Sequence, residues 1–298
     1  MSKIKILEIS KLLECNFFIP SYQRGYRWTE QQVTDLLDDV WEFINNPQKS
    51  DWYCLQPVVV KETNSETKNE FNLSGIWYDV IDGQQRLTTI YLILKNLERF
   101  VESERNNFEI QYETRKDSKH FLNELVSKTK ADSEKNVDYF HIYNAYSTIK
   151  TWFQNKANEG HSSISSKFIT PFIEKVKVIW YEISKNDDSI DIFTRINSGK
   201  IPLTNAELIK ALFLNSSNFM VADEVKLGLI QREIASEWDR IEYNLQDDSF
   251  WYFVNKNDNK LATRIEFIFN LMADKKDDDY STFRFFNEKF KIKSEKEI

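Results

Sequence analysis

The sequence predicts an α+β protein, with a small mixed β-sheet in an N-terminal part and a mainly α-helical part after it. Three observations carry this expectation. Apolar, β-prone runs stand at residues 55–60, 76–81 and 176–183. Between and beyond them, apolar residues recur at helical spacing over long stretches. Only 6 Gly and 5 Pro occur in 298 residues, which leaves few tight loops and favours helix.

Taken in order, residues 1–18 read as a short strand and helix, with Ile4, Ile6, Leu7, Ile9, Leu12 and Leu13 apolar. Residues 19–28 are irregular, because Pro20 and Gly25 oppose helix. Thr29-Glu30-Gln31-Gln32 is a capping box that opens a helix. Val33, Leu36, Leu37, Val40, Trp41 and Ile44 line its buried face. Asp35, Asp38, Asp39 and Glu42 form the other face, read as a solvated acidic surface rather than a metal site, with Asp35 nearest the preceding loop. Pro57 places the strand at 55–60 at a sheet edge or strand start. A polar loop, 62–75, then joins it to the strand at 76–81 as in a hairpin. Leu87, Ile90, Tyr91, Leu94, Leu97 and Val101 mark the next helix.

Residues 100–138 are charged and weakly periodic, with exposed loop expected at 127–135. Tyr139, Ile142, Tyr146, Ile149 and Phe153 form a core stripe, and 155–166 is linker-like. The strand at 176–183 can return to the first sheet. Ile190, Phe193 and Ile196 mark a short helix closed at Asn197-Ser198-Gly199-Lys200. A second capping box, Thr204 to Glu207, opens an apolar helix over 208–214, too apolar to lie in a DNA groove. Residues 221–273 read as helical and 274–298 as a charged tail or linker. The expected division is therefore 1–138, 139–273 and 274–298.

Composition excludes several classes. A hydrophobic share of 41% supplies a core, and 14% aromatic residues exclude a disordered chain. No apolar run has the length of a membrane span, and no signal-peptide pattern opens the chain. Cys15 and Cys54, without a Cys-x-x-Cys pair, fit a reduced cytoplasmic setting. The net charge of −7 gives no support for tight binding to duplex DNA by this chain alone.

Three polar clusters stand out. In the first, Tyr22, Gln23, Arg24, Tyr26, Arg27 and Trp28 alternate rings with guanidinium groups, a pattern suited to a flat, charged ligand. In the second, a strand runs through Asp82-Gly83 into a helix start, Gln84-Gln85-Arg86. Amide groups without internal partners there, the helix dipole and Arg86 make a place for an anion. Gln84, Gln85, Thr88 and Thr89 supply donors for phosphate oxygens or for a water. The third gathers Arg195, Asn197, Ser198, Gly199 and Lys200 at a helix–turn–helix corner.

In order and spacing these blocks resemble the N-terminal domain family of GmrSD-type, modification-dependent restriction endonucleases, distantly similar to the ParB/sulfiredoxin-like fold. The matching residues are Ile19-Pro20-x-Tyr22-Gln23-Arg24-x-Tyr26-x-Trp28, then Asp82-Gly83-Gln84-Gln85-Arg86-Leu87-Thr88-Thr89. The third block is Phe193-x-Arg195-Ile196-Asn197-Ser198-Gly199-x-x-x-Leu203-Thr204. The segments at Phe250-Trp251 and Arg264-Ile265-Glu266 agree as well, so the resemblance covers about residues 5–273.

The resemblance implies binding of a nucleoside triphosphate, GTP foremost, with hydrolysis coupled to restriction of modified or phage DNA. In that scheme Arg24 and Arg86 hold phosphates and the helix-start amides cradle them. Gln84 or Gln85 aligns water, and Asp82 is a weak candidate for Mg2+. Tyr22, Tyr26 or Trp28 stacks on the base, and Asn197 and Ser198 close the site. Family members commonly carry an HNH nuclease domain, but His120, His141 and His161 have no HNH-like context. The nuclease is thus expected in a partner subunit or elsewhere in the gene, and a homo-oligomer is compatible with this picture. Sulfiredoxin-like chemistry is unsupported, since the turn at 83–86 holds no cysteine, and no Gly-x-x-x-x-Gly-Lys-Ser/Thr loop exists. Two rival readings are a non-catalytic DNA- or partner-binding module switched by nucleotide, and a DNA-nicking enzyme.

Overall fold

The structure, a computed structural model, describes residues 3–46, 50–100, 107–115, 117–134, 137–197, 204–215, 219, 224–255, 263–274 and 281–296. It divides into two compact units, Met1–Asp187 and Asp188–Ile298.

The first unit opens with β1 (Lys3–Glu8), α1 (Ile9–Leu12) and β2 (Asn16–Ile19), followed by α2 (Glu30–Asn45). The expected capping box is formed: Thr29 N–H donates to Gln32 Oε1 at 2.9 Å. β3 (Tyr53–Glu62), α3 (Ser65–Glu70) and β4 (Trp77–Asp82) come next, then α4 (Gln84–Asn96) and β5 (Ile110–Tyr112). Val101, expected to end the stripe on α4, lies outside the described residues. α5 (Asp117–Asn123), α6 (Lys130–Ser133), α7 (Val137–Asn158), α8 (Ile164–Glu174) and β6 (Val176–Glu182) complete the unit.

The six strands form one mixed sheet in the order β1-β6-β3-β4-β2-β5. β1 runs antiparallel to β6, β6 parallel to β3, and β3 antiparallel to β4. β2 then lies parallel to both β4 and β5. The strand at 176–183 does return to the first sheet, beside β3. Helices α2, α4, α7 and α8 supply Val33, Leu37, Leu87, Ile90, Ile142, Ile149 and Phe168 to the core, all at most 1% exposed. Trp41 meets Trp152 edge-on with centroids 6.3 Å apart, which locks α2 to α7.

Several expectations change. Pro57 is not at an edge, because β3 lies between β6 and β4. The proline sits where the β3–β6 register shifts between Leu55 and Val58, so the missing N–H falls in a bulge. The polar stretch 62–75 contains α3, capped by Asn64 Oδ1, which accepts from Thr67 N–H at 2.7 Å. The stretch 127–135 contains α6, with Thr129 and Asp132 as its capping box and Ser133 fully buried. Helices α7 and α8 occupy much of 155–166. The expected boundary at 138/139 falls at the start of α7, whose apolar face packs in the same core as the sheet. On α2 the acids are not merely solvated: Asp38 accepts from Trp152 Nε1 at 2.9 Å and Asp39 from the Tyr53 hydroxyl at 3.1 Å. β2 and β5 have no counterpart among the strands expected from sequence.

The second unit is helical: α9 (Ser189–Asn197), α10 (Asn205–Leu214), α11 (Glu224–Asn244), α12 (Asp248–Val254), α13 (Arg264–Ala273) and α14 (Ser281–Lys296). Its core gathers Ile209, Trp238, Leu245, Ile265, Phe269 and Phe286, with Trp238 stacked on Phe269 at 5.0 Å. α14 lies where a tail was expected, and Phe286 explains it by burying a ring against α10 and α13. The charged run at 275–279 lies outside the described residues. Among the described residues no helix is long and apolar enough to cross a membrane.

Candidate functional site

The candidate site is a polar corner of the first unit where the first two sequence blocks meet. β4 ends at Asp82, and the chain turns at Gly83 with φ +99° and ψ 6°, a backbone setting that suits glycine. A Cβ at Gly83 would stand 3.2 Å from Pro57 O and 3.1 Å from Val58 Cγ2. So the turn is pressed against β3 just where the proline bulge lies.

The loop over residues 20–28 is pinned to this turn at several points. Gln23 Nε2 donates to Ile81 O at 2.6 Å, tying the loop to the end of β4. Gln85 Oε1 accepts from Arg27 N–H at 2.7 Å, and Gln85 Nε2 donates to Gly25 O at 3.1 Å and to Gln84 Oε1 at 2.8 Å. Gln84 Nε2 in turn donates to the Tyr112 hydroxyl of β5 at 3.1 Å. Thr89 donates to Gln85 O at 3.0 Å, so the 2.9 Å contact to Tyr26 takes its proton from the Tyr26 hydroxyl. Burial pushes the Tyr26 phenol well above its ordinary range, which keeps it a donor.

Among residues 20–28 only Arg24 is exposed. Tyr22 and Tyr26 are buried in the core, Thr88 and Thr89 lie wholly inside α4, and Trp28 is half-buried. Arg86 points away from the loop: its guanidinium donates to Gln56 Oε1 at 2.7 Å and Pro57 O at 2.6 Å. Asp82 Oδ2 stands 3.8 Å from it. Burial lowers the Arg86 pKa from its usual value and Asp82 opposes that shift, so the arginine stays charged. Among the described residues no three His, Cys, Asp or Glu side chains gather as a metal site.

Two residues outside the sequence blocks belong to this corner. Asp138, at the start of α7, is 4% exposed and receives Arg27 on one oxygen and Arg115 Nε on the other, the latter at 2.6 Å. Burial alone would raise this carboxyl, but the Arg115 and Arg27 charges outweigh it and hold the pKa below the usual range. His141, one turn along, is pushed down to about 4 by burial and then by the Arg27 charge, so it is neutral at pH 7. Asp138 had a sequence signal. It lies four residues before Ile142 on the buried stripe, where a carboxylate needs a cation.

The third block lies in the second unit, with Arg195 and Asn197 in the last turn of α9. Ser198 and Gly199 lie outside the described residues. α10 is capped by Thr204, and buried Asn205 donates to Glu266 at 3.2 Å and accepts from Phe283 N–H at 3.1 Å. Lys210 is buried against Asp239 at 3.1 Å, so this side of α10 faces the core.

The model of the family described as GmrSD restriction endonuclease, N-terminal domain, matches residues 6–214, well over half of the chain. The chain belongs to that family. The match begins within β1, takes in all three polar blocks and ends with α10, so it covers the other five strands entire and the capping boxes of α2 and α10. Helices α11–α14 follow the matched region. Family membership makes this domain part of a restriction system, which acts on DNA. No curated protein matches the chain.

Proposed function

We propose that this GmrSD-type domain binds a nucleoside triphosphate at the corner between the 20–28 loop and the start of α4, and that occupancy of this corner governs restriction. The observation that carries the reading is the presentation of Arg24. Its neighbours on both sides are bonded to Ile81, Gln85 and Thr89, and it alone of that loop is exposed. A cation on a loop held this firmly loses little freedom when it grips a phosphate. The nearby first turn of α4 adds amides whose donors have no intrahelical acceptor.

In this scheme Arg24 is the phosphate ligand, Trp28 is the ring available to a base, and Gly83 allows the turn. Tyr22, Gln23, Tyr26, Arg27, Thr88 and Thr89 act by holding that surface. Arg86 fixes the turn to β3, and Mg2+ would draw most of its ligands from phosphate oxygens and water, with Asp82 the one protein carboxylate at the turn. GTP is the first nucleotide to test, and a nuclease domain or subunit is the expected partner.

One observation favours a binding switch over turnover. Both glutamines proposed to align water are already engaged: Gln85 by Arg27, Gly25 and Gln84, and Gln84 by Gln85 and Tyr112. The test is titration calorimetry with each of the four common nucleoside triphosphates and Mg2+, beside a phosphate-release assay. The expected result is saturable binding of one triphosphate that Arg24→Ala weakens about 10- to 100-fold, the worth of one charged hydrogen bond. The melting temperature of the same variant, read alongside, separates lost binding from lost folding. Absence of binding by every triphosphate at millimolar concentration would sink the reading.

A further inference from the structure

The 20–28 loop is supported from two elements that none of the three sequence blocks contains. The segment after β5 accepts Ser21 N–H on Glu113 Oε2 at 2.8 Å. Two residues on, Arg115 reaches Asp138, which comes from α7 and also takes the Arg27 guanidinium. Gly25 lies directly on this carboxylate: a Cβ there would stand 1.9 Å from Asp138 Oδ1. So glycine is needed at 25 for close approach rather than for a positive φ.

Arg27 and Arg115 meet on Asp138, Glu113 holds the loop backbone at Ser21, and His141 adds no charge at neutral pH. Two arginines taken out of water need a shared acceptor with both oxygens in reach, which Asp138 supplies. Removing that acceptor would set Arg27 against Arg115 and release the loop at Gly25 and Arg27, which follow Arg24 on its C-terminal side. The backbone of Arg24 would then lose one of its anchors, while the bonds of Gln23, Gln85 and Tyr26 remain.

We infer that Asp138 and Arg115 are positioning residues for the anion site, clamping Gly25 and Arg27 so that Arg24 leaves the loop in one fixed direction. This rests on the nucleotide reading for its ligand, and its geometry can be tested without one. The experiment compares the 298-residue chain with its Asp138→Asn and Arg115→Lys variants by amide hydrogen exchange, then by triphosphate titration in the presence and absence of Arg24→Ala.

Exchange over residues 23–28 should accelerate by about tenfold or more in Asp138→Asn, and to a smaller extent in Arg115→Lys, while β3 and β6 keep their protection. Triphosphate affinity should fall by about tenfold in Asp138→Asn and by nothing further when Arg24→Ala is already present, because a positioning residue acts through the group it positions. Unchanged exchange over 23–28 in both variants overturns the inference, as does an affinity loss that simply adds to that of Arg24→Ala. If Asp138→Asn fails to fold, Arg115→Lys decides alone, since it keeps the charge and loses the guanidinium fork. If the wild-type protein binds no triphosphate, the nucleotide reading falls while the exchange result still decides the clamp.

Discussion

Replacing Gly83 with alanine tests whether the turn at the candidate site is as tight as its contacts imply. Gly83 has φ +99°, where an L-residue costs about 1–2 kcal/mol. The added methyl would also stand 3.1–3.2 Å from Val58 Cγ2, Val58 Cα and Pro57 O, and two of those three atoms are backbone in the middle of the sheet. They cannot swing aside as a side-chain tip can, so an overpacking cost of about 1–3 kcal/mol is added. Lower entropy in the unfolded chain returns about 0.4–1 kcal/mol. The net expectation is a loss of about 1–4.5 kcal/mol in urea unfolding, with the slope against denaturant unchanged. Gly75 is an internal control: it has φ +85° and nothing within 4 Å of where a Cβ would stand, so Gly75→Ala carries only the backbone cost. The reasoning fails if Gly83→Ala costs no more than Gly75→Ala.

Gln85→Ala should destabilise by about 2–4 kcal/mol, since it leaves Arg27 N–H and Gly25 C=O without partners in a half-buried place; chemical denaturation measures it. Arg86→Met should lose about 1–3 kcal/mol of stability through Gln56 and Pro57, and Arg86→Lys should recover only part of it, because the fork is lost. Asp79 gives a pH signature. Burial pushes its carboxyl up to about 6, against a Thr63 hydrogen bond at 2.6 Å that lowers it. Between the ordinary carboxylate pKa and 6 the folded state binds more protons than the unfolded one, so this group makes stability fall as pH rises through that window. Asp79→Asn should therefore gain on the wild type from about pH 4 to pH 6 and hold a constant advantage above it, read from thermal or urea unfolding at each pH.

Much of the framework was legible because it is written in local patterns. The runs behind β3, β4 and β6 are long and apolar, and Thr29 and Thr204 announce α2 and α10 by their capping boxes. β2 and β5 were hidden by brevity. Four and three residues long, they follow from the parallel pairing of Phe17 with Ile110 and of Phe17 with Tyr78, contacts that no local pattern contains. Pro57 misled for a similar reason, since a bulge can only be recognised against a partner strand. At the candidate site, reading Arg86 as a phosphate ligand used its place in the helix dipole and could not see Gln56 and Pro57, far earlier in the chain, waiting on β3. The Asp138 clamp lay in a stretch that looked like a boundary, because a buried acid is conspicuous only once Arg27 and Arg115 are beside it.

The side-chain amide of Gln85 behaves toward the loop as a surrogate peptide group. Its oxygen receives an N–H and its nitrogen gives a proton to a C=O two residues away, as a neighbouring strand would. Glutamate offers no proton, lysine offers no lone pair, and asparagine is a methylene short, so few replacements can restore both halves of that exchange. An irregular segment has thereby been given the stiffness of an extra strand without occupying a slot in the sheet. Redesign of the loop would therefore begin at positions other than Gly25 and Arg27, whose backbone groups that one amide holds.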